Sequence, residues 1–512
     1  MSRQHDPKLE LAKRRFLIGA GSAAVGMSVG AAVRAADAPP SQQWDLIVVG
    51  AGTAGMPAAI FAAQRGAKVL LIEASAQLGG TLHLSTGQMS AAATKLQKSK
   101  GIDDTVQEHF EDVIRISRGT VNRDLVKLSV FNQGDTYDWL TDNGFEAVPD
   151  HPIKGLGHEP YLKRRYQWGA EGGVSILKIL EKVIAPEIKS GRITFMPEHE
   201  AKELLVGDGG RVNGVVTEGP GGRAHRHAGR FVLLSCGGYS YNPKVFREIN
   251  GHPQHVSIAY PYSRGQGLIM GRAVGGYVRG AENFIVNFGI VCASAEDFAP
   301  PLASPVTYPE RRPPWEVIVN VHGKRFVRED TPSVDERDKA IVKQPELRSW
   351  FIFDDVIRHE APPLFDGWDT DQLTAAFETQ PLFYRAGSLA ELAAKTGVDA
   401  AGLAATVSAY NAGRATGRDA LGRQHMPRPI EQPPFYAIRQ VGFTTSSVAG
   451  LAVDHELRVV RKDGSVIEGL YAAGEMIGTG QLMGNAIVGG MNVTPALTFG
   501  RLLGSRLIPL KT

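Results

Sequence analysis

Residues 44–73 read WDLIVVGAGTAGMPAAIFAAQRGAKVLLIE, and this stretch decides the fold. An apolar run of strand length leads into the pattern Gly50-x-Gly52-x-x-Gly55, a helical segment follows, and a second apolar run ends at Glu73. This order of strand, glycine turn, helix, strand and acid is that of a dinucleotide-binding βαβ unit. Gly50 allows the tight turn, Gly52 lets the backbone approach a pyrophosphate, and Gly55 lets the helix pack on the strand.

The same unit predicts how a dinucleotide is held. The helix after the glycine turn offers free N–H groups and a positive dipole end to the phosphates. The carboxylate of Glu73 can accept hydrogen bonds from the ribose hydroxyls. A purely structural glycine turn is the alternative, but the strand, the helix and the acid are all in place here. We therefore expect an α/β fold built around a Rossmann-like nucleotide domain.

Motifs outside this unit favour FAD over NAD as the dinucleotide. LGGT at 78–81 follows the acid directly, and STGQMSAA at 85–92 comes next. Far along the chain, GLYAAGE at 469–475 ends an apolar strand at a glycine and an acid. A C-terminal element that returns to the nucleotide domain is needed to hold the ribitol and ring of a flavin, whereas NAD does not require one.

With these motifs the chain resembles the flavoprotein subunits of the fumarate reductase/succinate dehydrogenase family and their 3-ketosteroid dehydrogenase relatives. VLLSCGGY at 232–239, GKRFVRE at 323–329 and ERDKA at 336–340 are similar to stretches of that family and come in the same order. The likeness runs from about Trp44 to Leu507.

The resemblance implies a discontinuous Rossmann-like FAD-binding domain over residues 42–282 plus 441–512, with an α+β capping domain over 283–440 inserted. It also implies a set of FAD-contacting positions. They are Gly50, Gly52, Ala54, Gly55, Glu73, Gly79, Gly80, Thr81, Gly87, Gln88, Met89, Ala201, Gly237, Gly238, Gly474, Glu475, Gly490, Asn492 and Val493. The histidine that binds flavin covalently in membrane fumarate reductases falls on Thr81, so we expect non-covalent FAD, although His83 lies close by.

For catalysis, the resemblance maps the proton-transferring arginine of the fumarate reductases onto Arg337. Because the pKa of a guanidinium is very high, such an acid needs a relay that returns its proton. Arg312 and Glu310 lie where that family keeps the relay, with Glu310 displaced by one residue. The alternative makes Arg337 a structural partner of Glu336 or Asp338.

The family's fumarate clamp is missing from this sequence. Met483 and Ile487 stand where its histidine and arginine would be, and the start of the cap, 284–294, contains no His. Without those cations, the two carboxylates of fumarate would be poorly paired in a site of low dielectric constant. We therefore do not expect fumarate to be the substrate.

The stretch GMNVTPALTFG at 490–500 is similar to the ending of the ketosteroid dehydrogenases. There a glycine N–H at the position of Gly490 helps to hold the carbonyl oxygen of the substrate. The partner tyrosine of that family is replaced by Ala486, and Tyr308 and Tyr384 are candidates to handle the proton.

Three functions remain open. The first is dehydrogenation of a CH–CH bond beside the carbonyl of a largely apolar ketone, with the hydride passing to flavin N5. The second is an exported reductase of a non-fumarate enoate that receives electrons from a separate cytochrome or quinone/quinol carrier. The third is an exported flavin-binding electron carrier, which would not need a large cap.

Residues 1–35 are predicted to be an export signal of the twin-arginine type, which implies a periplasmic protein if the source is bacterial. Arg14-Arg15 precede an apolar stretch rich in Gly and Ala, and Val33 and Ala35 offer small residues for cleavage. A membrane anchor is the alternative. The segment's six Lys/Arg and two Asp/Glu account for more than the whole formal net charge of +3.

The rest of the composition excludes several classes of protein. A hydrophobic fraction of 43% and a charged fraction of 21% are typical of a folded globular chain. No basic run is interleaved with aromatic residues, so we expect no nucleic-acid partner. No segment after the signal is apolar enough to span a membrane. Only Cys236 and Cys292 occur, which excludes a disulfide scaffold and a four-cysteine cluster, and we predict no metal site.

Overall fold

The computed structural model describes residues 43–508. The predicted export signal lies outside them. In chain order the elements up to the cap are β1 (Gln43–Val49), α1 (Gly55–Gln64), β2 (Val69–Ile72), β3 (Met89–Ser90), α2 (Lys95–Ser99), α3 (Val106–Ile116), α4 (Arg123–Asp142), β4 (Tyr166–Gln167), α5 (Gly173–Lys189), β5 (Ile193–Met196), β6 (Glu200–Val206), β7 (Val212–Glu218), β8 (Ala224–Leu234), α6 (Pro243–Asn250), α7 (Gln266–Ala273) and β9 (Val278–Arg279).

The remaining elements form the cap and the C-terminal return to the first domain. They are β10 (Asn287–Cys292), β11 (Pro301–Ala303), β12 (Val317–Val319), α8 (Val334–Val342), β13 (Arg348–Asp354), α9 (Asp355–Glu360), α10 (Thr370–Thr379), β14 (Phe383–Ala386), α11 (Leu389–Thr396), α12 (Ala400–Thr416), β15 (Phe435–Phe443), β16 (Gly450–Leu451), β17 (Arg458–Val460), β18 (Val466–Ala472), α13 (Gly480–Met483) and α14 (Val493–Leu507).

The central sheet confirms the Rossmann-like prediction. Its order is β17-β18-β8-β1-β2-β5, and the hairpin of β6 and β7 branches from β8. Strands β18, β8, β1, β2 and β5 run parallel, so their carboxyl ends meet at one edge. Their apolar residues are buried on both faces, as parallel sheets require. Gly50, Glu73, Ser235 and Ala473 follow four of these strands and come together at that edge.

The C-terminal helix returns to the nucleotide domain through backbone contact. A Cβ atom on Gly500 would lie 2.1 Å from the carbonyl oxygen of Ala54, and one on Gly504 would lie 2.4 Å from that of Ala58. Helix α14 therefore packs directly on α1, which is possible only with glycine at these positions. This contact brings the segment that follows β18 to the glycine turn.

The cap has an antiparallel sheet and a hydrophobic core of its own. The sheet order is β11-β10-β15-β13-β12, with β14 paired to β15. Val256, which precedes the predicted boundary, packs into this core. Strand β15 runs to Phe443, so the predicted boundary between residues 440 and 441 falls inside a strand of the cap sheet. Within 43–508, none of the helices is long and apolar enough to cross a bilayer.

Candidate active site

The first turn has room only for glycine at two of its three glycine positions. Gly50 has a φ of +102°, and a Cβ atom there would lie 2.5 Å from Cα of Cys236. A Cβ atom on Gly55 would lie 1.8 Å from the carbonyl oxygen of Gly50. The N–H of Gly50 donates to the carbonyl of Ile72 at 2.8 Å, which ties the turn to the end of β2. Both glycines thus have the structural roles expected from the sequence.

Backbone N–H groups that could bind an anion line the gap beside Gly52. Across the described chain, the N–H groups of Gly52, Thr53, Ala54 and Gly55 have no hydrogen-bond acceptor. A Cβ atom on Gly52 would be 4.0 Å from its nearest neighbours, the carbonyl oxygen of Gly79 and Cα of Gly80. The N–H of Gly79 donates to the carbonyl of Ala51 at 2.8 Å and holds the second glycine turn opposite the first. Unpaired N–H groups at a helix start beside a gap fit the pyrophosphate of FAD.

Glu73 is held where a ribose can reach it. Its side chain is buried, with Oε2 accepting the N–H of Ala51 at 2.9 Å and Oε1 that of Ser75 at 2.8 Å. Each oxygen keeps acceptor capacity for a ribose hydroxyl. The N–H of His199 donates to the carbonyl of Glu73 at 2.9 Å, so the start of β6, including the buried Ala201, lies beside the same strand end.

A second cluster of predicted cofactor residues lies after β8 and β18. Gly237 and Gly474 have φ values of +79° and +74°. A Cβ atom on Gly238 would be 2.0 Å from Oγ of Ser447 and 2.4 Å from Oε1 of Glu475, so the backbone approaches these groups closely. Oε1 of Glu475 accepts the N–H of Ser447 at 2.8 Å. Burial raises the pKa of Glu475 and outweighs the hydrogen bonds from Ser447.

The flavin end of the cradle is completed by β3 and the start of α14. Met89 is fully buried, whereas Thr81 and Gln88 are half-buried in the segment before it. A Cβ atom on Gly490 would lie 2.2 Å from the backbone nitrogen of Ser90. In residues 43–508 the N–H groups of Gly490, Asn492 and Val493 have no acceptor. These N–H groups, together with the positive end of α14, fit a flavin ring edge that carries partial negative charge. A Cβ atom on Gly87 would lie 2.3 Å from the backbone of Gly172, so Gly87 allows two loops to pack.

Arg337 projects from α8 and is almost completely buried. It donates a hydrogen bond to the carbonyl of Thr307, and its guanidinium carbon lies 5.7 Å from the ring centre of Tyr308. Its Nε has no partner in the described part of the chain. Burial lowers the pKa of Arg337, although the neighbouring Asp338, Tyr308 and Glu336 oppose that shift. A buried guanidinium with a lowered pKa is a chemically reasonable proton donor.

The two acids proposed as structural partners of Arg337 have other hydrogen bonds. Glu336 accepts from the hydroxyl of Thr331 at 2.6 Å, and Asp338 accepts the N–H of Phe288 at 2.7 Å. The guanidinium of Arg337 itself donates to the backbone of Thr307, and the charges of Asp338 and Glu336 also act on it.

The predicted relay is corrected at one position. Arg312 forms a buried, bidentate ion pair with Glu316, whereas Glu310 is exposed. The N–H groups of Arg311 and Arg312 both donate to the carbonyl of Tyr308, at 3.0 and 2.9 Å, and this turn leaves Glu310 in solvent while Arg312 is buried. Arg337, Arg312 and Glu316 line one cavity, together with Thr307 and Glu329.

Glu316→Gln is expected to lower the free energy of unfolding by about 3–5 kcal/mol, because it leaves the buried Arg312 cation unpaired. Although burial alone would raise the pKa of Glu316, the charge and hydrogen bonds of Arg312 hold it below its ordinary value. Urea unfolding of the two proteins at neutral pH measures the difference. Glu310→Gln is the matched control and should change the unfolding free energy by less than about 0.5 kcal/mol. Equal effects of the two substitutions would contradict the assignment.

Two tyrosines at the site belong to no motif of the sequence. The hydroxyl of Tyr161 donates to the carbonyl of Gly489 at 2.5 Å. A Cβ atom on Gly489 would lie 3.0 Å from the ring of Tyr166. Both lie in the aromatic and basic run YLKRRYQW at 161–168, in which the spacing of the residues matches no motif. Of the two tyrosines that were considered, Tyr308 lies beside Arg337, whereas Tyr384 is on β14 in the cap sheet.

A hydrogen-bonded contact joins the two domains next to Arg337. His158 precedes β4, and its Nδ1 lies 3.0 Å from Oδ1 of Asp335 on α8. The N–H of Glu159 donates to Oδ2 of the same carboxylate at 3.0 Å. Burial alone would raise the pKa of Asp335, but its hydrogen bonds with His158 and Glu159 hold that pKa below the ordinary value of 3.8.

Asp335→Asn is expected to cost about 1 kcal/mol of unfolding free energy at pH 7. Because folding lowers the pKa of Asp335, its contribution is present above the pKa of the unfolded chain and is lost as the pH falls through the lower folded pKa. The cost should therefore shrink below the ordinary value of 3.8. Urea unfolding at pH 7 and near pH 3 measures it, with the exposed Asp371→Asn on α10 as the control. A cost that does not depend on pH would contradict this account.

Comparison with known proteins identifies the family. A family model described as an FAD binding domain matches residues 45–493. The chain belongs to this family. As a member of it, the chain is an FAD-dependent oxidoreductase, as the glycine turns predicted. It is 29% identical over 473 residues to a fumarate reductase (cytochrome) of Shewanella frigidimarina, covering 91% of this chain and 77% of the relative.

Dehydrogenases of ketones are also similar to this FAD-binding chain. It is 26% identical to a 4-oxocyclohexanecarboxylate 2-dehydrogenase of Sinomonas cyclohexanicum, covering 91% of this chain and 93% of the relative. The solved structure of a 3-ketosteroid Δ1-dehydrogenase of Sterolibacterium denitrificans superimposes with a TM-score of 0.68, at 20% identity and over 91% of this chain and 99% of that one. At that identity the likeness concerns the fold.

Proposed function

We propose that this FAD enzyme dehydrogenates a CH–CH bond beside the carbonyl of a largely apolar ketone. The observation that carries the proposal is the Gly490 N–H, which has no acceptor in residues 43–508 and lies beside the segment that holds the flavin. Such an N–H can donate a hydrogen bond to the carbonyl oxygen of a ketone. A relative whose name describes dehydrogenation of 4-oxocyclohexanecarboxylate supports a cyclic ketone as the substrate class.

Each protein group has a defined task in this reaction. Bound FAD supplies the acceptor for the hydride that leaves the β carbon. The Gly490 N–H stabilises negative charge on the carbonyl oxygen while the α carbon loses its proton. The ionised phenol oxygen of Tyr308 is the candidate base that receives that proton, and the guanidinium of Arg337 beside its ring would stabilise this anionic form.

A second candidate function is the reduction of a non-fumarate enoate by electrons from a separate cytochrome or quinol. The observation that favours it is the cavity shared by Arg337, Arg312 and Glu316. Arg337 would protonate the α carbon, and the Arg312–Glu316 pair would return a proton to it. The third candidate, an electron carrier without a substrate, is disfavoured because the cap has a complete core of its own.

Flavin absorbance distinguishes these functions. The oxidised protein is mixed anaerobically with cyclohexanones and 3-ketosteroids, and the reduced protein is mixed with enones and enoates. Bleaching by saturated ketones supports the dehydrogenase, and reoxidation by enoates supports the reductase. Absence of reaction with every compound would overturn both.

We also propose that the FAD is non-covalent and that the chain is exported through its N-terminal twin-arginine segment. Thr81 has no group that could bind the isoalloxazine ring as histidine does, so acid precipitation should release all of the flavin. Replacement of Arg14-Arg15 by two lysines should retain the full-length precursor in the cytoplasm of a bacterial host. If flavin stays with the precipitate, the proposal of non-covalent FAD is overturned. If export of the double-lysine variant is unaffected, the proposal of export through the twin-arginine segment is overturned.

A further inference from the structure

The peptide bond between Gly489 and Gly490 is held from three sides. Its carbonyl oxygen accepts the Tyr161 hydroxyl at 2.5 Å. On one flank a Cβ atom on Gly489 would lie 3.0 Å from the ring of Tyr166, and on the other the backbone of Ser90 leaves no space for a side chain on Gly490. Gly490 also has a φ of +78°, which few residues other than glycine adopt. The orientation of this one peptide group is therefore fixed by its neighbours.

We propose that Tyr161 is a positioning residue that orients the Gly490 N–H toward the carbonyl oxygen of the substrate. This inference rests on the proposed function, in which that N–H binds the ketone. A trans peptide group is planar, and its C=O and N–H point in opposite directions. Tyr161, by fixing the oxygen of Gly489, directs the N–H of Gly490 away from itself and keeps it from rotating.

Tyr161 is in turn held rigidly by a buried charge network. The guanidinium of Arg165 lies 5.2 Å from the centre of the Tyr161 ring. Arg165 is fully buried and pairs with Asp104 at 2.6 Å and with Asp112 at 2.8 Å. The ring of His109 packs edge-on against Tyr161 at 5.3 Å. Burial raises the pKa of Tyr161, so its hydroxyl remains a hydrogen-bond donor at physiological pH.

The hydrogen bond also makes the peptide N–H a stronger donor. A hydrogen bond accepted by the carbonyl oxygen of a peptide group polarises that group and makes its N–H a stronger donor. The gain is larger when this N–H binds an oxyanion than when it binds a neutral carbonyl oxygen. Because the oxygen of the ketone gains charge only as the α proton leaves, the effect is larger in the transition state than in the bound ground state. Loss of the Tyr161 hydroxyl should therefore lower kcat more than it raises KM.

The test compares Tyr161→Phe with Tyr137→Phe in the FAD-loaded protein. Tyr137 is the matched control because its side chain is also fully buried, while its hydroxyl has no partner in the described structure. The first readout is the infrared C=O stretch of ¹³C-carbonyl cyclohex-2-en-1-one bound to the oxidised protein. The second is the steady-state oxidation of cyclohexanone with an artificial electron acceptor.

We expect the bound C=O stretch to lie below its value in water for the wild type and Tyr137→Phe, and to move back up in Tyr161→Phe. We also expect kcat to fall about tenfold in Tyr161→Phe, with KM changing less than about twofold. An unchanged stretch and unchanged kcat in Tyr161→Phe overturn the inference and leave the proposed function intact. No low-frequency stretch and no turnover in the wild type overturn the proposed function, and this inference with it.

Discussion

Arg337→Gln is expected to lower turnover by about 10²–10⁴-fold while FAD remains bound. The guanidinium is buried in the cap, contacts the backbone of Thr307 and lies 5.7 Å from the ring centre of Tyr308. In the dehydrogenase it stabilises the phenolate form of Tyr308, which takes the α proton and becomes a neutral phenol, and in the reductase it donates the proton itself. Glutamine keeps a hydrogen-bond donor for Thr307 but removes the charge and the acidic proton.

The measurement is steady-state turnover of the ketone or enoate found by the flavin assay, with FAD content read from absorbance. Arg439→Gln is the matched control, because Arg439 is also a cap arginine whose pKa is lowered by burial and which donates to a backbone carbonyl. It lies on β15, outside the cavity that Arg337 lines. Turnover of the control should stay within about twofold of wild type. If Arg337→Gln retains turnover, the role of Arg337 in the wild type is structural.

The parts of this molecule that could be predicted are those encoded by neighbouring residues. The glycine turn, its helix and Glu73 lie within one βαβ unit, so their spacing alone indicates their positions. Glu310 cannot serve in the relay because the turn closed on the carbonyl of Tyr308 leaves it exposed, and Arg312 pairs with Glu316 instead. Motif position along the chain does not show which side chains such a turn exposes.

Contacts between distant segments were not visible in the sequence. Tyr161 and Gly489 are 328 positions apart, and no periodicity links them. The extent of the cap sheet at its C-terminal end is of the same kind, because β15 pairs with β10, β13 and β14 up to Phe443, three residues beyond the predicted end of the cap. Strand pairing between distant segments decides where that sheet ends.

Gly52→Ala is expected to weaken FAD binding about 100-fold, equivalent to about 2.7 kcal/mol, while the apoprotein folds normally. The nearest atoms to a Cβ at this position are 4.0 Å away, and Gly52 is not among the glycines with positive φ. Alanine is therefore accommodated in the folded chain. The added methyl group, however, occupies the gap between Gly52 and Gly80, where unpaired N–H groups would meet the pyrophosphate.

Gly55→Ala provides the contrasting control at the same turn. Its Cβ would lie 1.8 Å from the carbonyl oxygen of Gly50, so this methyl group meets backbone in the absence of any ligand. We expect Gly55→Ala to lower the unfolding midpoint of the apoprotein, and Gly52→Ala to leave it unchanged. Fluorescence titration of the apoproteins with FAD gives the affinities, and urea unfolding gives the stabilities. If Gly52→Ala binds FAD as wild type does, the pyrophosphate does not lie in this gap, because the only group added there is the one that should exclude it.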